Sequence, residues 1–491
     1  MAPTSFWKTG LLLFLFVLLL SVPQAALLPL LDRDEPRFAE ASREMLQSGD
    51  IVVPTFNHAP RYAKPPLIYW CQALSFAAFG ENAFAARLPS LLATAGTALL
   101  LFAWGLSLGS RCIGMIAALA YAFCFQAMQQ GRVATADALL IFFMTLTVFA
   151  GGKLLALVKT TETRPWHFWG VILTLGFAGG FLAKGPEAWL PILPLLICAR
   201  SCGWRVLFSF AAIFLLGLFI VSWWAIPAYL RTDGAYWQEG LGHDVGDRMV
   251  GGDFQGHGVS SFGWYLLLLP LYLLTFWLSA LPWSPLLLTH GKKLFASWKP
   301  DATDSYLLLN VGLIFLVFSL MVTKLPHYTL PAFPFLALFF ARRWIASNLS
   351  PVLPTQLTGG FGLILAVLVF VAVPVVGLYQ VTPSPVGELV REAGDALTPD
   401  TEFGLIDFQE PNAIWEMRRV VYSPAYFPPL EKVIPFLSQS GPRAVILSTP
   451  LWQQLHADAD PSWKIYRARG WNAAKGALID LTLVVNSGAG Q

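Results

Sequence analysis

Apolar runs long enough to cross a bilayer recur through almost the whole chain, and nothing in the sequence constrains its fold more. A helix needs about 20 apolar residues to span the hydrocarbon core, where no water can satisfy backbone amides and carbonyls. Such runs, some shorter or containing proline, occupy 10–31, 88–108, 112–128, 134–152, 168–183, 186–199, 205–230, 262–288, 304–323, 328–341 and 358–380. They predict a polytopic α-helical membrane protein with about 11–13 spans. Composition points the same way: of 491 residues only 12% are charged, against about a quarter in soluble domains. Segment 65–80, PPLIYWCQALSFAAFG, is bounded by prolines and a glycine and reads as an interfacial helix. The first run is longer than the usual signal-peptide core of about 7–15 residues and reads as an uncleaved anchor.

Basic residues then set an orientation. Lys8, Arg111, Lys153, Lys159, Arg164, Arg200, Arg205, Lys292, Lys293, Lys299, Arg342 and Arg343 all fall in alternate loops, the side that the positive-inside tendency makes cytoplasmic. The opposite side receives the loop 32–87, the loop 231–261 and everything after 381. The loop 32–87 breaks the trend, with Arg33, Arg37, Arg43, Arg61, Lys64 and Arg87 on the outer side. Cations held there against the tendency suggest an anionic ligand.

Other classes are excluded by what the sequence lacks. A net charge of +3 is too small for a nucleic-acid protein. The five cysteines show no CxxC or Cys/His spacing, which argues against a disulfide framework or a cysteine metal site. From 381 to 491 the chain changes character. Strand-like runs at 402–408, 419–422, 443–448 and 479–486 alternate with turns and helix-like stretches, predicting a soluble α/β domain after a membrane module of residues 1–380.

Two constellations carry candidate chemistry. LDRDEPRFAEASREML, residues 31–46, follows the first span directly. Pro36 suits the first turn of a helix, and Arg37, Glu40 and Glu44 recur at three- to four-residue spacing on one face. A carboxylate here, Asp34 or Glu35, stands where a general base would meet lipid-borne substrates; a capped, ion-paired helix would use the same residues. In RYAKPPLIYW, residues 61–70, two prolines after Lys64 impose an extended path. An ammonium fixed there beside Arg61 and Tyr62 suits an interfacial phosphate, as it would a lysine reaching for the membrane surface.

DEPRFAE followed by NHAPRYAKPPLIYW resembles the first outer loop of bacterial aminoarabinose transferases and the related protein O-mannosyltransferases. TADALL (135–140), AKGPEAWLP (183–191), TKLPHYTLPAFPFLAL (323–338) and FGLIDFQEPNAIWEMRRVVY (403–422) extend the resemblance along nearly the whole chain. It implies a GT-C glycosyltransferase that uses a polyprenyl-phosphate sugar on the outer face of the bacterial inner membrane. By the same resemblance Asp34 matches the catalytic aspartate and Arg37 the arginine of its helix. Lys64 and Arg248 match donor-phosphate contacts, His243 a loop histidine, and Asp137 a second acidic position. Lys184, Lys324 and His327 lie in matching motifs on the same face. One position departs: close aminoarabinose transferases carry a glutamate before the lysine, a metal contact paired with the histidine, and here it is Ala63. The expectation is therefore an inverting transfer with no metal and no other cofactor. Its partners are the lipid-linked donor, a lipid, glycan or protein acceptor, and membrane lipids, with the sugar and acceptor left open. A secondary transporter or lipid flippase is the rival, opposed by the lack of an internal repeat and by ionisable residues gathered in one outer loop.

Overall fold

The protein is described by a computed structural model, which covers all residues except 1–2, 31–32, 159–163, 241, 243–260, 297, 379–383, 456–459, 473–474 and 489–491. It divides into two compact units that do not follow chain order. One contains residues 1–23, 62–68 and 87–366, the other 24–61, 69–86 and 367–491.

In the first unit helices dominate. Among the described residues seven helical segments are long and apolar enough to cross a membrane: Trp7–Leu27, Ala83–Ser107, Asp137–Leu157, Trp166–Lys184, Trp204–Arg231, Ala302–Leu320 and Val352–Val371. An eighth is possible if Leu271–Ser279 and Ser284–Phe295, bent by 101° at their junction, count as one broken span. Every apolar run of the sequence has helix in it, but several are interrupted. The run 186–199 begins with a 3-10 turn, Pro186–Trp189, and only Ile192–Ala199 is α-helical. The run 112–128 divides into Arg111–Ala122 and Phe125–Gln130. The segment around 65–80 forms the short helix Leu67–Phe79.

Helix labels follow chain order: α1 Pro3–Leu27, α2 Asp34–Ser48, α3 Leu67–Phe79, α4 Ala83–Ser107, α5 Arg111–Ala122, α6 Phe125–Gln130, α7 Asp137–Leu157 and α8 Arg164–Lys184. Between α7 and α8 the backbones approach so closely that side chains would not fit. A Cβ on Gly176 would lie 2.4 Å from the Thr147 hydroxyl oxygen, and one on Gly179 would lie 2.3 Å from the Phe143 ring. Small residues let apolar helices pack where no hydrophobic drive separates helix from lipid. The core beneath includes Phe102, Phe123, Ile141, Phe177, Phe333 and Phe335.

The second unit holds α2 and a five-stranded sheet. Two two-residue strands, β1 (Thr55–Phe56) and β2 (Ala59–Pro60), pair antiparallel near α2. The main sheet is β3 (Glu402–Leu405), β4 (Ala425–Tyr426), β5 (Arg443–Ser448), β6 (Lys464–Asn472) and β7 (Ala477–Asn486), in the order β4-β3-β5-β7-β6. β3 runs parallel to β4 and β5, whereas β5–β7 and β6–β7 are antiparallel. Alternate residues of β5 face opposite ways. Ala444 and Ile446 pack with Val386, Leu389, Ile414 and Met417. Val445 and Leu447 pack with Val433, Leu437 and Trp452. Both faces are thus covered, as expected where parallel pairs occur.

Candidate active site

The candidate carboxylates open α2. The helix starts at Asp34 itself, and its N-cap residue Arg33 makes no side-chain capping bond. A capping role for Asp34 is thereby corrected: it lies in the first turn, where the helix dipole favours negative charge. Asp34 is exposed, whereas the neighbouring Glu35 is only 3% exposed. Of the two, Asp34 is the one open to an incoming hydroxyl. Arg37 is half-buried, and burial followed by the nearby Arg61 lowers its pKa, with Asp34 opposing the shift. Arg61 donates from Nε to the Tyr69 hydroxyl at 3.2 Å and lies 5.3 Å from the Phe38 ring.

Further along α2 the ion pairs lie inside the protein. Glu40 and Arg43 are both fully buried and paired with each other. Burial pushes the Glu40 carboxyl up to about 7, with Arg43 and Arg418 opposing the rise. Glu44 accepts from the Thr55 hydroxyl at 2.5 Å and from the His58 amide at 3.2 Å.

Lys64, Lys184 and Lys324 lie in the first unit, whereas Arg61 belongs with α2 to the second. Tyr62, Lys64, Lys184, Trp224, Tyr236 and Trp237 line one pocket. Pro65 and Pro66 leave the Lys64 carbonyl outside any helix, and it accepts from the Tyr236 hydroxyl at 2.5 Å. The Tyr62 and Tyr236 rings stand 5.3 Å apart. Lys64 is thus held by its backbone, between aromatic walls.

Lys184 is differently placed. Its Nζ is 2.6 Å from Asp137 and 3.2 Å from Glu187, and the Thr135 hydroxyl donates to Asp137 at 3.0 Å. Asp137 opens α7 and Lys184 closes α8, the ends where each charge suits the helix dipole. Glu187 was missed in the sequence although it follows Lys184 by three residues. The His327 Nδ1 is 3.4 Å from the Gln130 side-chain nitrogen, with the ring edge-on to Tyr328. Lys324 is buried and donates to the carbonyls of Ser319 and Met321, closing the C-terminal end of the helix Ala302–Leu320. Burial lowers its pKa. His243 and Arg248 lie outside the described residues. Among the described residues no three His, Cys, Asp or Glu side chains gather as a metal-holding group.

The chain can now be set beside known proteins. Residues 6–230 match the family described as dolichyl-phosphate-mannose-protein mannosyltransferase. The undecaprenyl phosphate-alpha-4-amino-4-deoxy-L-arabinose arabinosyl transferase of Edwardsiella ictaluri is 33% identical over 346 residues, 68% of this chain and 58% of that protein. The chain therefore spans little more than half the length of such relatives. The protein of the same description from Pectobacterium carotovorum subsp. carotovorum is 30% identical over 406 residues, 80% of this chain and 68% of its own length. The crystal structure of ArnT from Cupriavidus metallidurans bound to undecaprenyl phosphate shares the fold, with a TM-score of 0.73 over 99% of both chains at 16% identity. These likenesses and the apolar helices describe a multi-span membrane protein, consistent with a bacterial inner membrane. The transporter reading is not favoured. With motifs, fold and relatives in agreement, the chain belongs to the bacterial aminoarabinose transferase family of GT-C glycosyltransferases.

Proposed function

We propose that the chain is an inverting glycosyltransferase that moves a sugar from a polyprenyl-phosphate donor to a lipid, glycan or protein acceptor. The observation that carries the reading is the pocket in which Lys64 stands among Tyr62, Trp224, Tyr236 and Trp237. An ammonium fixed among rings suits a phosphate that arrives on an apolar chain. Asp34 takes the proton of the acceptor hydroxyl as that oxygen attacks the anomeric carbon, and the polyprenyl phosphate leaves from the opposite face. Lys64, with Arg61 and Arg248, neutralises the departing phosphate, which fixed cations can do in place of a metal. Ala63, where the family resemblance leads one to expect a glutamate, supports the metal-independent form. Arg37 orders the helix beside the base. By the family resemblance Tyr62, His243 and His327 remain further active-site candidates in this scheme.

In this reading Lys184 has another part. Two carboxylates already meet its charge, so it holds Asp137 in place rather than serving the phosphate. Lys324, spent on helix carbonyls, is likewise a structural closure. In this reading residues 1–380 form the membrane module, and residues 381–491 face the periplasm together with the outer loop 32–87. The relatives' names supply the first donor to try, undecaprenyl phosphate-4-amino-4-deoxy-L-arabinose, and the family resemblance supplies the first acceptor, lipid A. Mass spectrometry of membrane lipids and glycans, from cells with and without the protein, tests the function. A sugar-modified species that disappears with the gene supports it and names the acceptor; unchanged profiles of every envelope glycan would sink it.

A further inference from the structure

The tail of the chain returns to the helix that carries Asp34. A single short helix there, Pro411–Met417, has Glu410 as its N-cap residue and Arg418 as its C-cap residue. Both are charged, both are nearly buried (7% and 4% exposed), and each reaches a residue of α2 or its start. Glu410 takes the guanidinium of Arg33 at 3.1 Å and 3.3 Å, one carboxylate oxygen to each nitrogen. Arg418 lies 3.5 Å from the Glu40 carboxylate. Between these ends Arg43 lies over the Trp415 ring at 4.4 Å and donates to the Trp415 carbonyl at 3.1 Å. Arg418 also meets His58, and Asn57 bonds both backbone groups of Ala425, its side-chain nitrogen donating at 3.0 Å and its oxygen accepting at 2.6 Å.

We infer that Glu410 and Arg418 are positioning residues for the candidate base: the helix Pro411–Met417 grips α2 by charge at both of its own ends. The inference rests on the assignment of Asp34 as base. Its physical content is twofold. First, a base must be held within a fraction of an ångström of its target, and misplacement by about 1 Å costs about a hundredfold in rate. Asp34 is exposed and uncapped, so its place is set by the helix beneath it. Second, Arg33 precedes Asp34 directly. A guanidinium turned onto that carboxylate would occupy the oxygens that must take the acceptor's proton. The carboxylate of Glu410 holds Arg33 in a two-point bond instead. The tail is thus part of the catalytic apparatus through one helix, although none of its residues needs to touch substrate.

The test uses the full chain and four variants: Glu410→Gln, Arg418→Met, the exchange Arg33→Glu with Glu410→Arg, and Arg391→Gln as control. Arg391 belongs to a surface pair with Glu388 and is 76% exposed. Two readouts are taken, amide hydrogen exchange across residues 34–48 and transfer from undecaprenyl phosphate-4-amino-4-deoxy-L-arabinose to lipid A. Glu410→Gln should speed exchange in the first turns of α2 and lower kcat about ten- to a hundredfold. The donor KM should stay within about twofold. The exchange variant should restore both readouts, and the control should match the wild type. Arg418→Met should loosen the middle of α2; if it fails to fold, Glu410→Gln and the exchange variant decide. Wild-type exchange and wild-type kcat in Glu410→Gln would overturn the inference, as would an exchange variant no better than the single one. Asp34→Asn separates the two claims. If it is inactive while Glu410→Gln behaves as wild type, the grip alone is wrong; if it is active, the base assignment falls and amide exchange alone judges the grip.

Discussion

Asp34 and Lys64 are the two side chains on which a single substitution says most. Asparagine at 34 keeps the size of the side chain and cannot accept a proton at neutral pH. No capping bond is lost with it, because Arg33 occupies the N-cap position and makes none. Asp34→Asn should therefore spare expression and binding of undecaprenyl phosphate and lower turnover by about 10²–10⁴-fold. Glu35→Gln is the comparison, and its burial at 3% exposure makes it a packing change: its cost should appear in thermal stability before it appears in rate. Near-wild-type turnover by Asp34→Asn would return α2 to the role of an ion-paired helix. For Lys64→Ala the fold should stay intact, since the residue is half-buried on a loop and its backbone carries the bond to Tyr236. Loss of a charge-assisted contact costs about 1.5–3 kcal/mol, so affinity for undecaprenyl phosphate should fall about ten- to a hundredfold. Equal affinity in wild type and variant would pass the phosphate to Arg61 or Arg248.

Among the elements, α2 makes the sharpest statement about pH. Burial raises the Glu40 carboxyl from 4.5 to about 7, so the folded chain binds that proton more tightly than the unfolded chain does. Its contribution to stability is full below about 4.5 and is lost as pH rises through about 7. Glu40→Gln keeps an oxygen for Arg43 and Arg418 and cannot titrate. Its unfolding midpoint should change less between pH 4.5 and 8 than that of the wild type; parallel curves would place the slope elsewhere. This element also shows what a sequence conceals. The periodicity of Arg37, Glu40 and Glu44 is plain in the letters, and a helix follows from it. That Glu40 and Arg43 are buried is not, because their covering partners Trp415 and Arg418 stand some 370 residues further on. Apolar helices were legible for the same reason in reverse: hydrophobicity over 20 residues is a local property. What blurred their number was proline, which breaks the runs at 186–199 and 262–288 into pieces too short to cross alone. In the tail the runs 402–408, 443–448 and 479–486 hold strands, but 419–422 is turn and loop after the helix Pro411–Met417, and β4 follows only at Ala425–Tyr426; β6 (Lys464–Asn472) went unread, since its outward Arg467, Arg469 and Trp471 hide the pattern. In the candidate site, Lys64 could be singled out from its prolines and Asp137 from the family resemblance, while Glu187 and the pairing of both carboxylates with Lys184 could not.

For the whole molecule the orientation of the loops is the first matter to settle. A reporter fused after residue 400 should read as periplasmic, and one fused near 295, beside Lys292 and Lys293, as cytoplasmic. Two fusions on one side would dissolve the shared outer face that the proposed mechanism requires. The mixed ancestry of the second unit, built from residues 24–61, 69–86 and 367–491, also carries a timetable. Ribosomes add roughly 5–20 residues each second, and Arg33 finds Glu410 after 377 further residues, a wait of roughly 20–75 s. Through that interval the charged helix α2 has been made, while the tryptophan that will cover Arg43 does not yet exist. A nascent chain of this kind offers chaperones and proteases a long opening at its beginning, and that opening closes only with the last quarter of synthesis.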